Sequence, residues 1–197
     1  MFIKDWKKDI LTVPNLLSLF RLFLIPVYVL IYLNAQEATD YFLAAAILAV
    51  SCLTDLIDGK IARHFNMIST IGKILDPLAD KATQFTLILC LALQHPVLWY
   101  LVVLFVIKES FQLIAGSIRF RKGIMLKGAL ITGKVCTTIL FLSLIIMVLM
   151  PDLDATAIQI ITTVDLVFML IAFSDYIMAY YKNDSKFQPI EEANDKQ

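Results

Sequence analysis

Six apolar stretches, at roughly 13–33, 41–58, 71–93, 97–118, 128–150 and 156–181, take up most of this 197-residue chain. A helix crossing a bilayer needs about 20 mostly apolar residues, and in lipid every backbone polar group must be satisfied inside the segment. The composition agrees: 59% of residues are hydrophobic, 17% are charged, and the mean hydropathy is +0.78, far from a soluble average. The expected fold is therefore an all-α integral membrane protein, with six transmembrane helices in a bundle. Short connections, no internal repeat and no low-complexity segment point to a single membrane domain over 1–181, followed by a polar, mobile tail at 182–197.

The chain before the first span alternates apolar and charged residues from Phe2 to Leu11, with Trp6 suited to the headgroup zone. That pattern predicts a short amphipathic helix lying on the membrane surface. The first span has cationic flanks and no small-residue cleavage site, so it reads as a retained helix and not as a signal peptide. Lysine and arginine cluster at the N-terminus (Lys4, Lys7, Lys8), after the second span (Lys60, Arg63, Lys73) and after the fourth (Arg119, Arg121, Lys122, Lys127), whereas 34–40, 94–97 and 151–156 carry none. The positive-inside rule then puts the basic ends in the cytoplasm of a multi-pass cell-membrane protein. The formal net charge of zero hides this asymmetry, and no nucleic-acid partner is expected. Cys52, Cys90 and Cys136 lie in apolar stretches without pair spacing and read as core residues.

Four carboxylates break the apolar pattern. Asp55 and Asp58 are spaced i, i+3 near the end of the second span, and Asp76 and Asp80 are spaced i, i+4 near the start of the third. Each pair shares one helical face. On one straight helix the 18 residues between Asp58 and Asp76 would span roughly 27 Å, so the chain must fold back, and His64–Thr70 is the polar stretch where it would turn. Four clustered carboxylates repel one another unless protonated or bridged by cations. Two divalent ions would balance them, and oxygen-only ligands favour magnesium, manganese or calcium over zinc. Helix capping, or pairing with Lys60, Arg63, Lys73 or Lys81, is the structural alternative, but caps do not call for paired spacings on consecutive spans.

The order Asp55, Asp58-Gly59, Ala62-Arg63, Gly72, Asp76, Asp80 resembles the signature of the CDP-alcohol phosphatidyltransferases at every fixed position. The opening Thr12-Val13-Pro14-Asn15, with Arg21 and Pro26, is similar to bacterial members that use glycerol-based acceptors. The resemblance implies transfer of the phosphatidyl group of CDP-diacylglycerol to an alcohol with release of CMP. It implies metal ligation by Asp55, Asp58, Asp76 and Asp80, with Asp80 also taking the proton of the acceptor hydroxyl. Gly59, Ala62, Arg63 and Gly72 would hold the CDP-lipid, although the glycines could equally serve helix packing and Arg63 the positive-inside pattern. Members are generally homodimers, so a homodimer is expected.

The acceptor is less constrained. Lys108, Arg119, Arg121 and Lys134 form a second cationic group suited to a phosphate-bearing acceptor. Phosphatidylglycerophosphate synthases usually read Arg-Glu, Gly-Leu-Arg and Gly-Lys-x-Lys-Thr here, against Lys108-Glu109, Ala115-Gly116-Ser117 and Gly133-Lys134-Val135-Cys136-Thr137 in this chain. The neutral Cys136 is similar to the cardiolipin synthases, whose acceptor is phosphatidylglycerol. Glycerol 3-phosphate is the first expectation and phosphatidylglycerol the second. An ion-coupled transporter would place its acids near the midplane of an internally repeated fold, and here they lie toward one face. A membrane prenyltransferase would share the acids and the magnesium but not the Asp-Gly, Ala-Arg and Gly-Asp spacings.

Overall fold

The computed structural model describes the backbone of residues 13–64, 72–126, 130–182 and 187–189, and their side chains except at 13–14, 52, 55–64, 72–74, 125–126 and 188–189. The expected surface helix over Phe2–Leu11 lies outside the described residues. Six α-helices are present among them: α1 (Val13–Leu33), α2 (Ala38–His64), α3 (Gly72–Gln94), α4 (Trp99–Arg121), α5 (Ile131–Leu149) and α6 (Ala155–Lys182). By length and composition, α1, α4, α5 and α6 can each cross a membrane, and among the described residues of α2 the apolar stretch covers Ala38–Ser51. In α3 the charged residues Lys73, Asp76, Asp80 and Lys81 interrupt the apolar run. Large apolar side chains such as Phe23, Leu30, Phe42, Leu113, Ile131 and Ile160 stand exposed. Such a surface suits hydrocarbon far better than water.

The chain divides into two compact units, Met1–Gln94 with Leu144–Asp152, and His95–Ser143 with Leu153–Gln197. In the first, α1 packs on both α2 and α3. Its core is apolar, built on Leu48, Leu87, Ile88 and Leu91, with Ala44 letting backbones approach closely. Arg21 meets Asp76 at one level, and the Tyr32 hydroxyl donates to Gln94 Oε1 at 2.7 Å at another. Contacts in that order make α1 and α3 run in the same direction. At the head of α2, Asp40 Oδ2 accepts from the backbone N–H groups of Gln36 (2.9 Å) and Glu37 (3.1 Å). An acid reaching back over the first turn satisfies donors that have no intrahelical partner, and these two hold the Asp40 carboxyl below its ordinary range.

In the second unit α4 packs on α6, and a 3-10 turn at Pro96–Leu98 leads into α4. Leu101, Val102 and Phe105 are buried on α4, as are Ile158, Met169 and Ala172 on α6. The ring pair Phe111–Phe173, 5.4 Å between centroids, and the contact of Arg119 with Tyr180 again fix a common direction. Helix α4 stops at Gly123, whose φ of +75° is the left-handed conformation that glycine adopts without steric cost. Amides of Lys122 and Gly123 close the end on the carbonyls of Arg119 (2.9 Å) and Phe120 (3.0 Å).

The chain then forms β1 (Ile124–Leu126), which pairs antiparallel with β2 (Phe187–Pro189). This ribbon departs from the mobile tail expected at 182–197. Three-residue strands carry too little alternation to be read from sequence, and the pairing is fixed by side chains on α4 and α6.

Candidate functional site

Two of the four signature carboxylates have described side chains. Asp76 and Asp80 lie one turn apart on α3, on one face, and both are partly exposed. Facing them, α1 presents Asn15, Ser18 and Arg21, all buried. These three are spaced i, i+3, i+6 and so form one polar stripe on an otherwise apolar span. The Arg21 guanidinium forms an ion pair with Asp76 Oδ1, and the Ser18 hydroxyl donates to the same oxygen at 3.4 Å. Arg21 is 3% exposed and the Asp76 side chain 48%. The cation is thus anchored inside the unit while the carboxylate reaches its surface. One turn on, the buried amide Nε2 of Gln84 donates to both oxygens of Asp80, at 3.3 and 3.4 Å. A carboxylate held from behind by a rigid amide keeps a fixed orientation toward whatever approaches from the front.

The side chains of Asp55, Asp58, Gly59, Ala62, Arg63 and Gly72 lie outside the described residues. The backbone places Asp55 to Arg63 in the last turns of α2 and Gly72 at the first position of α3, so the two acid pairs lie on separate helices. No group of three or more metal-ligating side chains gathers among the described residues. The donors that are described fit hard dications all the same. They are carboxylate oxygens on one helical face, and Asp76 already accepts a positive group at Oδ1.

The second unit carries the four cations assigned to the acceptor, in three different settings. Lys108 is 4% exposed and its Nζ lies 2.6 Å from Glu109 Oε1. Arg119 is half-buried, donates to the backbone carbonyl of Tyr180, and lies over the Phe187 ring with Cζ 4.5 Å from the centroid. Arg121 and Lys134 are exposed. Lys108 and Arg119 share a face of α4, yet 11 residues separate them by roughly 16 Å along the axis. A single phosphate group is smaller than that gap.

The polar residues left over from the signature also find partners here. The Thr132 hydroxyl donates to Asp175 Oδ2 at 2.6 Å, and the Ser143 hydroxyl donates to Asp165 Oδ1 at 3.0 Å. Both contacts tie α5 to α6. Cys90 and Cys136 are buried free thiols, as core residues should be, and Cys52 lies outside the described side chains.

Sequence reasoning named Asn15 and Arg21 only through a resemblance, and did not name Ser18, Gln84, Tyr180 or Phe187 as site residues. A signal was present for the first group, because buried polar residues repeating every three positions in a membrane span call for a partner. None was present for Phe187, whose place depends on pairing with a strand 61 residues earlier.

Comparison with known proteins converges on one family. The sequence profile described as CDP-alcohol phosphatidyltransferase matches residues 11–175. A CDP-diacylglycerol–glycerol-3-phosphate 3-phosphatidyltransferase of Aquifex aeolicus is 32% identical over 177 residues, which cover 87% of this chain and 97% of that protein. A cardiolipin synthase (CMP-forming) of Streptomyces coelicolor is 32% identical over 117 residues, 58% of this chain and 54% of that protein. A cardiolipin synthase/hydrolase fusion protein of Schizosaccharomyces pombe is 42% identical over 91 residues, 45% of this chain and 14% of the fusion.

Proposed function

The chain belongs to the CDP-alcohol phosphatidyltransferase family, transferases of substituted phosphate groups whose dependence on divalent metal is general, and from that premise we propose that its acceptor is sn-glycerol 3-phosphate. The product would be phosphatidylglycerophosphate. The observation that carries this choice is the length of the match to the Aquifex transferase, which runs over nearly all of both chains. The cardiolipin synthases align over about half of this chain. Phosphatidylglycerol is the second reading, favoured by the neutral Cys136 two places after Lys134.

In the proposed reaction the acceptor hydroxyl oxygen forms a bond to the phosphorus that carries the diacylglycerol. The bond from that phosphorus to the oxygen bridging it to the cytidine phosphate breaks, and CMP leaves with the electron pair. Asp80 takes the hydroxyl proton, since a base within hydrogen-bond reach of the nucleophile is required, and Gln84 holds its carboxylate in orientation. Asp55, Asp58, Asp76 and Asp80 would hold two magnesium or manganese ions, which supply charge stabilisation at the pyrophosphate. Arg21 keeps Asp76 in one rotamer and offsets its charge. Gly59, Ala62, Arg63 and Gly72 take the CDP-lipid, and Arg119 takes the acceptor phosphate, with Arg121 and Lys134 as further cations for the acceptor. Lys108, roughly 16 Å along α4 from Arg119 and paired with Glu109, is too far to share that phosphate.

The same reading includes six membrane crossings, the N-terminal surface helix, a single domain over 1–181, a cytoplasmic active site and a homodimer. Support for the orientation comes from the basic N-terminal segment and the basic connections after the second and fourth spans, and from α1 and α3 running in the same sense. The direct test is purified protein with labelled CDP-diacylglycerol and a panel of glycerol 3-phosphate, phosphatidylglycerol, inositol phosphate, serine and choline. Phosphatidylglycerophosphate with stoichiometric CMP is the expected outcome, and product with any other alcohol alone overturns the acceptor.

A further inference from the structure

We propose that the segment Phe187–Pro189 is a strap that holds the Arg119 guanidinium in place for the acceptor phosphate, with Phe187 and Tyr180 as positioning residues for acceptor recognition. The proposal rests on the reading of Arg119 as an acceptor ligand. Arg119 is gripped from two directions. Tyr180 lies in the last turn of α6, where carbonyls have no intrahelical donor and the helix dipole is negative, and its carbonyl accepts from Arg119 Nη2. Phe187 supplies the second grip through its ring face, within the distance at which a cation is attracted by the ring quadrupole.

Phe187 is itself fixed from three sides. The strand register sets it opposite Leu126, with Ile124 opposite Pro189. Its ring meets Tyr180 edge-on, 5.2 Å between centroids, and Tyr180 meets Phe111 at 6.0 Å, which continues to Phe173 inside the α4–α6 pair. It also packs against the buried group Leu130, Tyr176 and Ala179. A two-stranded ribbon is marginal by itself, so the strap and the aromatic ladder stand or fall together. An arginine ordered before the ligand arrives loses less rotamer entropy on binding. The consequence expected is on the acceptor, which is the ligand that Arg119 is proposed to take.

The test uses the full chain in detergent, with steady-state kinetics on CDP-diacylglycerol and glycerol 3-phosphate. Phe187→Leu keeps apolar bulk but removes the ring face. It should raise KM for glycerol 3-phosphate about two- to fivefold, with KM for CDP-diacylglycerol and kcat unchanged. Phe187→Tyr restores the ring and should restore the wild-type KM. In an Arg119→Gln background, Phe187→Leu should have no further effect on acceptor KM. If Arg119→Gln raises acceptor KM while Phe187→Leu leaves it unchanged, the strap is refuted and the acceptor reading stands. If Phe187→Leu degrades both KM values and kcat together, or acts equally in the Arg119→Gln background, its role is structural only and the proposal is overturned. An unchanged acceptor KM in Arg119→Gln overturns the acceptor reading, and the strap with it.

Discussion

Two arginines in this chain are held in opposite ways. Arg21, on α1, is buried and meets the partly exposed carboxylate of Asp76. Arg119, on α4, is half-buried and meets a carbonyl and an aromatic face. In the first case a cation steadies an acid whose further lone pairs can serve metal ions. In the second, a carbonyl and an aromatic face orient a cation. On the proposed reading, the first arrangement serves the metal side of the reaction and the second the acceptor.

The largest effect should come from removing the acids themselves. Asp55→Asn, Asp58→Asn, Asp76→Asn and Asp80→Asn should each cut turnover by at least about a hundredfold, and a chelator should abolish activity until magnesium or manganese is added. Asp80→Asn should still bind CDP-diacylglycerol. A collapse of that affinity would make Asp80 a metal ligand before it is a base.

The contrast between the arginines comes next. Arg119→Gln should raise acceptor KM by about tenfold to a hundredfold, the worth of a charge-assisted hydrogen bond, and leave KM for CDP-diacylglycerol alone. Arg21→Gln should do the reverse, lowering kcat and weakening CDP-diacylglycerol with little change in acceptor KM. Matching kinetic profiles for the two variants would erase the distinction between the regions.

A packing change should be felt less. A Cβ on Gly133 would lie 2.7 Å from the Tyr176 hydroxyl and 3.0 Å from its Cε2, so Gly133→Ala should destabilise the second unit by about 1–3 kcal/mol. Adding Tyr176→Phe should recover part of the lost Tm, since it removes the nearest atom. If Gly133→Ala melts like wild type, the α5–α6 contact is looser than described.

The smallest effect belongs to Asp40. Two backbone donors depress its folded-state pKa, so its contribution is present above the unfolded pKa near 4 and is lost as pH falls through the folded value. Asp40→Asn should therefore lower Tm slightly at neutral pH, with the difference from wild type shrinking through the acid range and vanishing below the folded pKa.

The helices were legible from their apolar runs, and four of them, α1, α4, α5 and α6, are long and apolar enough to cross a bilayer. Their ends in the structure fall within a few residues of the expected ones, apart from α2. There the polar turn from Gly59 to His64 extends past the apolar stretch as helix, since helix propensity does not require apolarity. The acid pairs were legible because carboxylates are costly in such a setting and their spacing matches one helical face. Their supports were not. Gln84 looked like an ordinary polar residue until its distance to Asp80 was known, and Ser143 with Asp165 and Thr132 with Asp175 join residues 22 and 43 apart in sequence. The grip on Arg119 was hidden for the same reason. It is made by a backbone carbonyl, which has no sequence signature, and by Phe187 in a stretch whose strand is only three residues long.

The central claim is that carboxylates drive the transfer and a positioned arginine selects a phosphate-bearing alcohol. It is tested most directly by measuring kcat/KM for glycerol 3-phosphate and for phosphatidylglycerol in one preparation of the wild-type chain with saturating CDP-diacylglycerol. A preference for glycerol 3-phosphate on the order of tenfold or more, the worth of one charge-assisted contact, is the predicted result. An equal or larger preference for phosphatidylglycerol would contradict it.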